Sequence, residues 1–375
     1  MRKFPLTLNT WRQNKRIRKP NNTCYMHLCT KRDQVKGVKF STTDSIDRKI
    51  VMPSGVLIVL GNGHNLALGL KTSYSDFYSY YHKSLITLAK QSELVKFIVN
   101  KTICNQWCDY EQTIKQFAIN TNVATLDIPK EMRCFEQLRN YLGFYMNGEA
   151  LRRFNPVFVN AGNDFLGEAL LDNPAIFLFD VIIQHDYRYK IVSFNYTDLS
   201  GIITELTKQL LSTVRENDNM IINQCPEYSR ERCDIDYIHL TGTKCVFGTD
   251  DCESIPPALN FVKKTFQLDD SSYYNTYNNY KRIIFYGHSL GDTDHDFFSV
   301  LFHDIMQRPK DCNPDCFFIT KDLNSKNEIL TNLTKHIKSP LHEIQNHLNY
   351  QVIIEDQLVP SELKSRIVSA LTPLK

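Results

Sequence analysis

Val56-Leu57-Ile58-Val59-Leu60-Gly61-Asn62-Gly63-His64-Asn65 is the stretch on which the fold turns: five apolar, mostly branched residues run directly into a glycine pair. A run this short, bounded by glycine, reads as a strand buried on both faces. It continues through Gly69-Leu70-Lys71-Thr72-Ser73-Tyr74 into a polar-aromatic helical stretch. The same grammar returns at Ile283-Ile284-Phe285-Tyr286, followed by Gly287-His288-Ser289-Leu290-Gly291-Asp292-Thr293-Asp294. Glycine admits positive φ and close backbone approach, and a helix start beyond it presents the positive end of a dipole. Two such loops suit a diphosphate ligand.

Outward from these loops, further strands are expected over 190–194, 235–240, 245–247, 316–319 and 351–354. Helices over 294–308, 323–336 and 361–371 alternate with them. Residues 75–147 read as helices without a strand, at 107–120 and 131–145 after the aromatic stretch. Another helix covers 165–185, interrupted at Pro174, and one from Asp198 runs to 215 with Asp198 as its cap. This alternation predicts an α/β fold with a mostly parallel sheet, helices on both faces, and 75–185 as an inserted helical subdomain.

Composition sets the outer bounds. The chain has 375 residues, 42% of them hydrophobic, enough to bury a full core. No apolar run reaches the roughly 18 residues of a membrane span, and no export signal stands out, so a cytoplasmic protein is expected. Eleven scattered cysteines suit reduced thiols. Residues 1–50 hold 13 Lys and Arg against 3 Asp, a net +10 that leaves the other 325 residues at −7. This basic leader reads as a disordered segment ahead of a domain spanning 51–375, with a nucleic-acid arm or a transit peptide as the other readings. The acidic body argues against a nucleic-acid surface.

Polar residues gather where strands end, the place at which open parallel sheets bind ligands. Asn195 can orient a ribose hydroxyl or a water, or serve as a turn residue. His239 can act as a base near neutral pH, or be structural. Gly287-His288-Ser289-Leu290-Gly291 fits the nucleophile-elbow pattern, but nothing selects an acid and a histidine from Asp315, His336 and His342. Asp292, Asp294 and Asp296 can hold magnesium near a phosphate, with Asp294 or Thr293 as a helix cap the stronger reading. No paired cysteine spacing marks a zinc site, and no metal is expected.

The order of these loops resembles the bacterial phage abortive infection AbiH family over roughly residues 52–320. The matching motifs are Gly61-Asn62-Gly63, Gly69-Leu70 with Thr72-Ser73-Tyr74, and Trp107 with Asp109 and Glu111. After them come Ser193 through Asp198, His239 with Phe247-Gly248 and Asp250-Asp251, and Gly287 through Asp294. More distantly, the chain resembles the sirtuin-like NAD-binding superfamily. That resemblance implies a Rossmann-like sheet with an NAD-type ligand across the strand ends. Together, the loops and the two resemblances place Asn195, His239 and Asp198 in catalysis, and Gly61, Asn62, Gly63, His64, Asn65, Ser73, Tyr74, Gly287, His288, Ser289 and Asp294 in binding. The chain departs from the AbiH pattern at His64-Asn65, where the family has Phe-Asp, and it lacks the sirtuin zinc cysteines. An antiphage effector that hydrolyses NAD or a related nucleotide is therefore expected, with a nucleotide-binding sensor as the alternative. A phage or host protein is the expected trigger; a homo-oligomer is left open.

Overall fold

The computed structural model describes residues 55–105, 109–149, 172–184, 189–202, 233–241, 244–250, 254–267, 277 and 280–372. The basic leader, Trp107, Asp251 and the stretch 150–171 lie outside them, as does most of the helix expected after Asp198. Among the described residues the strands are β1 (Val56–Leu60), β2 (Tyr189–Ser193), β3 (Cys233–Tyr237), β4 (Leu240–Thr241), β5 (Lys244–Cys245), β6 (Arg282–Tyr286), β7 (Asp315–Thr320) and β8 (Asn349–Ile354). Six of them form one open sheet in the order β3-β2-β1-β6-β7-β8, and every neighbouring pair is parallel.

The helices are α1 (Asn62–Ala67), α2 (Tyr74–Ala89), α3 (Glu93–Asn105), α4 (Tyr110–Asn120), α5 (Ile128–Phe144), α6 (Pro174–Gln184), α7 (His295–Met306), α8 (Leu323–Ile337), α9 (Leu341–His347) and α10 (Pro360–Leu371). Local chemistry sets their starts. Asp109 accepts from Gln112 N and begins α4, three residues later than the aromatic pattern suggests. Asp127 caps α5. Pro174 opens α6, because Asn173 Oδ1 accepts from the amides of Ala175 and Ile176, leaving proline at the first helical position; residues 165–171 of the expected stretch lie outside the described residues.

All five residues of β1 are fully buried, and alternate ones face opposite layers. Val56, Ile58 and Leu60 pack with residues of α6 and α10, whereas Leu57 and Val59 pack with residues of α7, α8 and α9. Both faces are thus covered, which is why the strand reads as an unbroken apolar run. Helices α2 to α5 form a further layer around Phe77, Tyr110, Ile114, Phe135 and Leu142, joined by Phe247, Leu259 and Val262.

Two expected strands need correction. The one expected over 235–240 ends at Tyr237: Ile238 N bonds Ser193 O, the chain turns, and Leu240–Thr241 pairs antiparallel with Lys244–Cys245. The segment 245–247 accordingly belongs to this hairpin and to no strand of the sheet. Arg139 on α5 explains its position, since Nε and Nη2 both donate to Cys245 O at 3.0 and 2.8 Å. That bond holds the hairpin against the helical layer.

Candidate functional site at the sheet switch point

The sheet order places the first three strands on one side and the last three on the other, so the direction of winding reverses between β1 and β6. Such a reversal leaves a crevice beyond the strand ends, where open α/β sheets take ligands. Leu60, Ser193, Tyr237 and Tyr286 are register partners at that edge. A cleft of about 460 Å³ opens over the β1, β6, β7 and β8 ends, lined by Gly63, Gly287, His288, Ser289, Lys321 and Glu355 among others.

The two glycine loops press against each other. Gly63 N donates to Gly287 O at 2.9 Å. Gly287 sits at φ +61, and a Cβ there would lie 2.2 Å from His64 N and 2.5 Å from Gly63 C. A Cβ on Gly61 would meet Gly287 O at 2.5 Å, and one on Gly63 would meet Gly287 Cα at 2.8 Å. The amides of Gly61, Gly63, His64 and Gly287 are all donated within the protein, to Tyr286 O, Gly287 O, Gly61 O and Ile319 O. Glycine is thus required at these positions for contact between the loops, beyond any ligand.

Other expected binding residues brace the same region. Asn62 exchanges hydrogen bonds with Thr72, its Oδ1 accepting from the hydroxyl at 2.7 Å. His64 is wholly buried edge-on to Phe179 and Tyr286, and burial pushes it down to about 4, so it is a neutral packing residue. Asn65 Nδ2 donates to Thr197 Oγ1 at 2.8 Å. Ser73 caps α2, its Oγ accepting from Asp76 N. Tyr74 stacks on Tyr110 at 4.6 Å and contacts the Tyr196 hydroxyl.

Beside the cleft lies a buried charge cluster with Lys264 at its centre. The Lys264 side chain is 1% exposed; Nζ donates to Thr293 O at 2.6 Å and Asp294 Oδ1 at 2.8 Å. His239 Nε2 is 3.1 Å from the same ammonium and Glu111 Oε1 3.3 Å. Asp294 Oδ1 also lies 2.8 Å from His239 Nε2, and Asp294 Oδ2 is 3.5 Å from His288 Nε2. Burial disfavours the Asp294 charge, but Lys264 and His239 outweigh it and hold the carboxyl well below the usual range. Asp250 stands 4.0 Å from the ammonium, and burial raises it to about 8, leaving it protonated at neutral pH. Glu111, His239 and Asp294 offer potential metal-ligand atoms within 4.8 Å of one another, and the ammonium lies within hydrogen-bonding distance of all three. Lysine supplies the positive charge there.

Asp294 stands at the cap position of α7, yet its side chain makes no cap hydrogen bond; the ammonium and imidazole engage it instead. Asp292 lies 3.4 Å from Lys335, and among the described residues neither Asp292 nor Asp296 joins Asp294 in a cluster of potential ligand atoms, so the three do not form a cation site. Asp198 Oδ1 accepts from Ser200 N, Ser200 Oγ and Tyr237 OH, which makes it the cap of the helical turn that follows. Despite the opposing effect of burial, these bonds lower its carboxyl below the usual range. The elbow reading of Ser289 finds no support, because His336 bonds His295 and Leu290 O, and Asp315 starts β7 at the opposite sheet edge.

Asn195 and His239 surround one turn. The His239 ring stacks on Tyr196 at 5.1 Å and stands edge-on to Phe194 at 5.5 Å, the residues flanking Asn195. Both are nearly fully buried, Asn195 at 1% and His239 at 3%. Among the described residues, neither Asn195 amide atom nor His239 Nδ1 finds a hydrogen-bonding partner. Neither residue lines the open cleft, but His288 does, and its contact with Asp294 links the cleft to His239.

Sequence reasoning missed Lys264. Nothing in Phe261-Val262-Lys263-Lys264 distinguishes the buried lysine from its neighbour; only the bridge of Thr249 to Lys263 and the turn after it send Lys264 inward. The sequence model of the bacteriophage abortive infection AbiH family matches residues 57–312, which run from β1 to just before β7. No curated protein matches the chain. Among the described residues, no helix is long and apolar enough to cross a membrane.

Proposed function

The chain belongs to the bacteriophage abortive infection AbiH family, which gives it a role in phage abortive infection, and on that premise we propose that it binds an NAD-type nucleotide and hydrolyses its base–ribose bond. The observation that carries this reading is the pair of buried, unpartnered groups at Asn195 and His239, next to a cleft at the switch point. A buried polar group without a partner costs about 1–3 kcal/mol, a cost that a ligand or water bound at this turn would offset. In the tautomer that donates Nε2–H to Asp294, His239 Nδ1 presents a lone pair that accepts a proton from an attacking water. Asn195 orients that water or a ribose hydroxyl. Lys264 and Asp294 fix the imidazole, and the departing base leaves neutral, so positioning supplies much of the rate.

Burial of Asn195 and His239 fits an effector that stays silent until infection is sensed, with a rearrangement exposing them. A second reading, a nucleotide-binding sensor without turnover, draws on Asn65: its amide is committed to Thr197, where the family pattern has a carboxylate. Incubating the purified protein with NAD, with and without phage lysate, and measuring nicotinamide by chromatography separates the two. Release supports the hydrolase; saturable binding without release supports the sensor.

A further inference from the structure

The cleft wall contributed by β7, β8 and α8 lies beyond the family match, and its charge pattern has its own meaning. Its ionisable side chains are Lys321 and three carboxylates, Glu328, Glu355 and Asp356. Glu355 is anchored: its Oε1 accepts from the Tyr286 hydroxyl at 2.5 Å, and the Tyr286 ring is buried in the core. Asp356 N donates to Lys321 O at 3.0 Å, joining the loops after β7 and β8 into one rim. The phenol at the end of β6 and the backbone bond from β8 to β7 therefore hold carboxylates at the lip of the crevice.

From this arrangement we infer that the rim reads the hydroxyls of an unphosphorylated ribose and excludes a ribose carrying a 2′-phosphate. The inference rests on the nucleotide-binding reading of the cleft. Carboxylates accept hydrogen bonds from a ribose diol, as acidic residues at strand ends do in other dinucleotide folds, whereas those folds accommodate a 2′-phosphate with a nearby arginine, and among the described residues this rim's one cation is Lys321. Three carboxylates against one ammonium leave the rim net negative, and a further dianion placed among them is repelled. Burial raises the Glu355 carboxyl, and the Tyr286 hydroxyl opposes that rise and favours its charged form. The chemistry selects NAD over NADP, or adenosine-type ribose over its 2′-phosphorylated counterpart.

The test is calorimetric titration of the full chain with NAD and with NADP at one ionic strength. NAD is expected to bind at least about tenfold more tightly, as a like-charge penalty of ordinary size requires. Glu355→Gln keeps an acceptor for Tyr286 and should narrow the preference severalfold, chiefly by tightening NADP. Glu328→Gln, on the exposed surface of α8, should narrow it as well and poses little risk to folding. Equal affinity for NAD and NADP, or tighter NADP, overturns the inference while nucleotide binding stands. A wild-type preference that both variants leave unchanged removes the rim as its source and overturns it too. If neither nucleotide binds, both the inference and the reading beneath it fall.

Discussion

Replacing Lys264 by methionine tests the buried charge cluster most severely. Methionine approximates the length of the lysine stem but deletes the ammonium, leaving Asp294 and Glu111, 8% and 6% exposed, without their cation. Removing one partner of a buried pair costs about 3–5 kcal/mol, because the remaining charge stays buried. His239 remains 2.8 Å from Asp294 and can offset part of the loss, which favours the lower half of that range. Against a total of about 5–15 kcal/mol, a loss near 3 is large. It should lower the melting temperature by roughly 6 °C or more, taking about 2 °C per kcal/mol for a chain of this size.

The pH dependence has a definite sign. Asp294 has a depressed carboxyl in the folded protein, so its stabilising contribution is present above the unfolded value near 4 and is lost as pH falls through the folded one. Lys264→Met removes the chief cause of that depression and should shrink this acid-side contribution. Adding Glu111→Gln to Lys264→Met should restore part of the stability, since one uncompensated carboxylate disappears. Scanning calorimetry on both variants provides the measurement. A Lys264→Met protein melting within about 1 °C of wild type, or a double variant that recovers nothing, would show that the ammonium does not stabilise these carboxylates.

Three further outcomes follow from the same geometry. Asp250 is raised to about 8 when folded, so the native state binds a proton that the unfolded chain has released, and stability falls between about pH 4 and 8; Asp250→Asn should flatten that slope in denaturant titrations, and an unaltered slope contradicts the assignment. Gly287→Ala forces a Cβ into the backbone of the neighbouring loop and should cost about 2 kcal/mol or more, whereas Gly69→Ala, at φ +81 in open space, should cost only about 1; equal losses in equilibrium unfolding would show that loop contact is unimportant. Asn195→Ala and His239→Ala should each cut NAD turnover by roughly a hundredfold or more, while Asn195→Ala leaves stability unchanged or raised because it removes an unpartnered amide; a clear stability loss on Asn195→Ala would assign that amide a structural role.

The sheet was legible because buried parallel strands print themselves as short apolar runs ended by glycine, as at Val56–Leu60 and Arg282–Tyr286. The hairpin at Leu240–Thr241 and Lys244–Cys245 was not, because β-type residues there answer to the Arg139 contact more than 100 positions away. Helix α9 also escaped, since seven residues after Pro340 carry too little periodicity to show. Of the site, the loops and their polar residues could be read locally. The partners could not: Asp294 looks like a helix cap until Lys264 and His239 arrive from other segments. His64 likewise sits among glycines that suggest ligand contact, yet Phe179 and Tyr286 enclose it.

Base–ribose hydrolysis is measured as the release of nicotinamide from NAD by the purified full chain, alone and with a phage lysate, compared with the Asn195→Ala and His239→Ala proteins. Release by the wild-type protein in at least one of the two conditions is expected, with loss of nearly all of it in both variants. No release in either condition, or undiminished release from the variants, contradicts it.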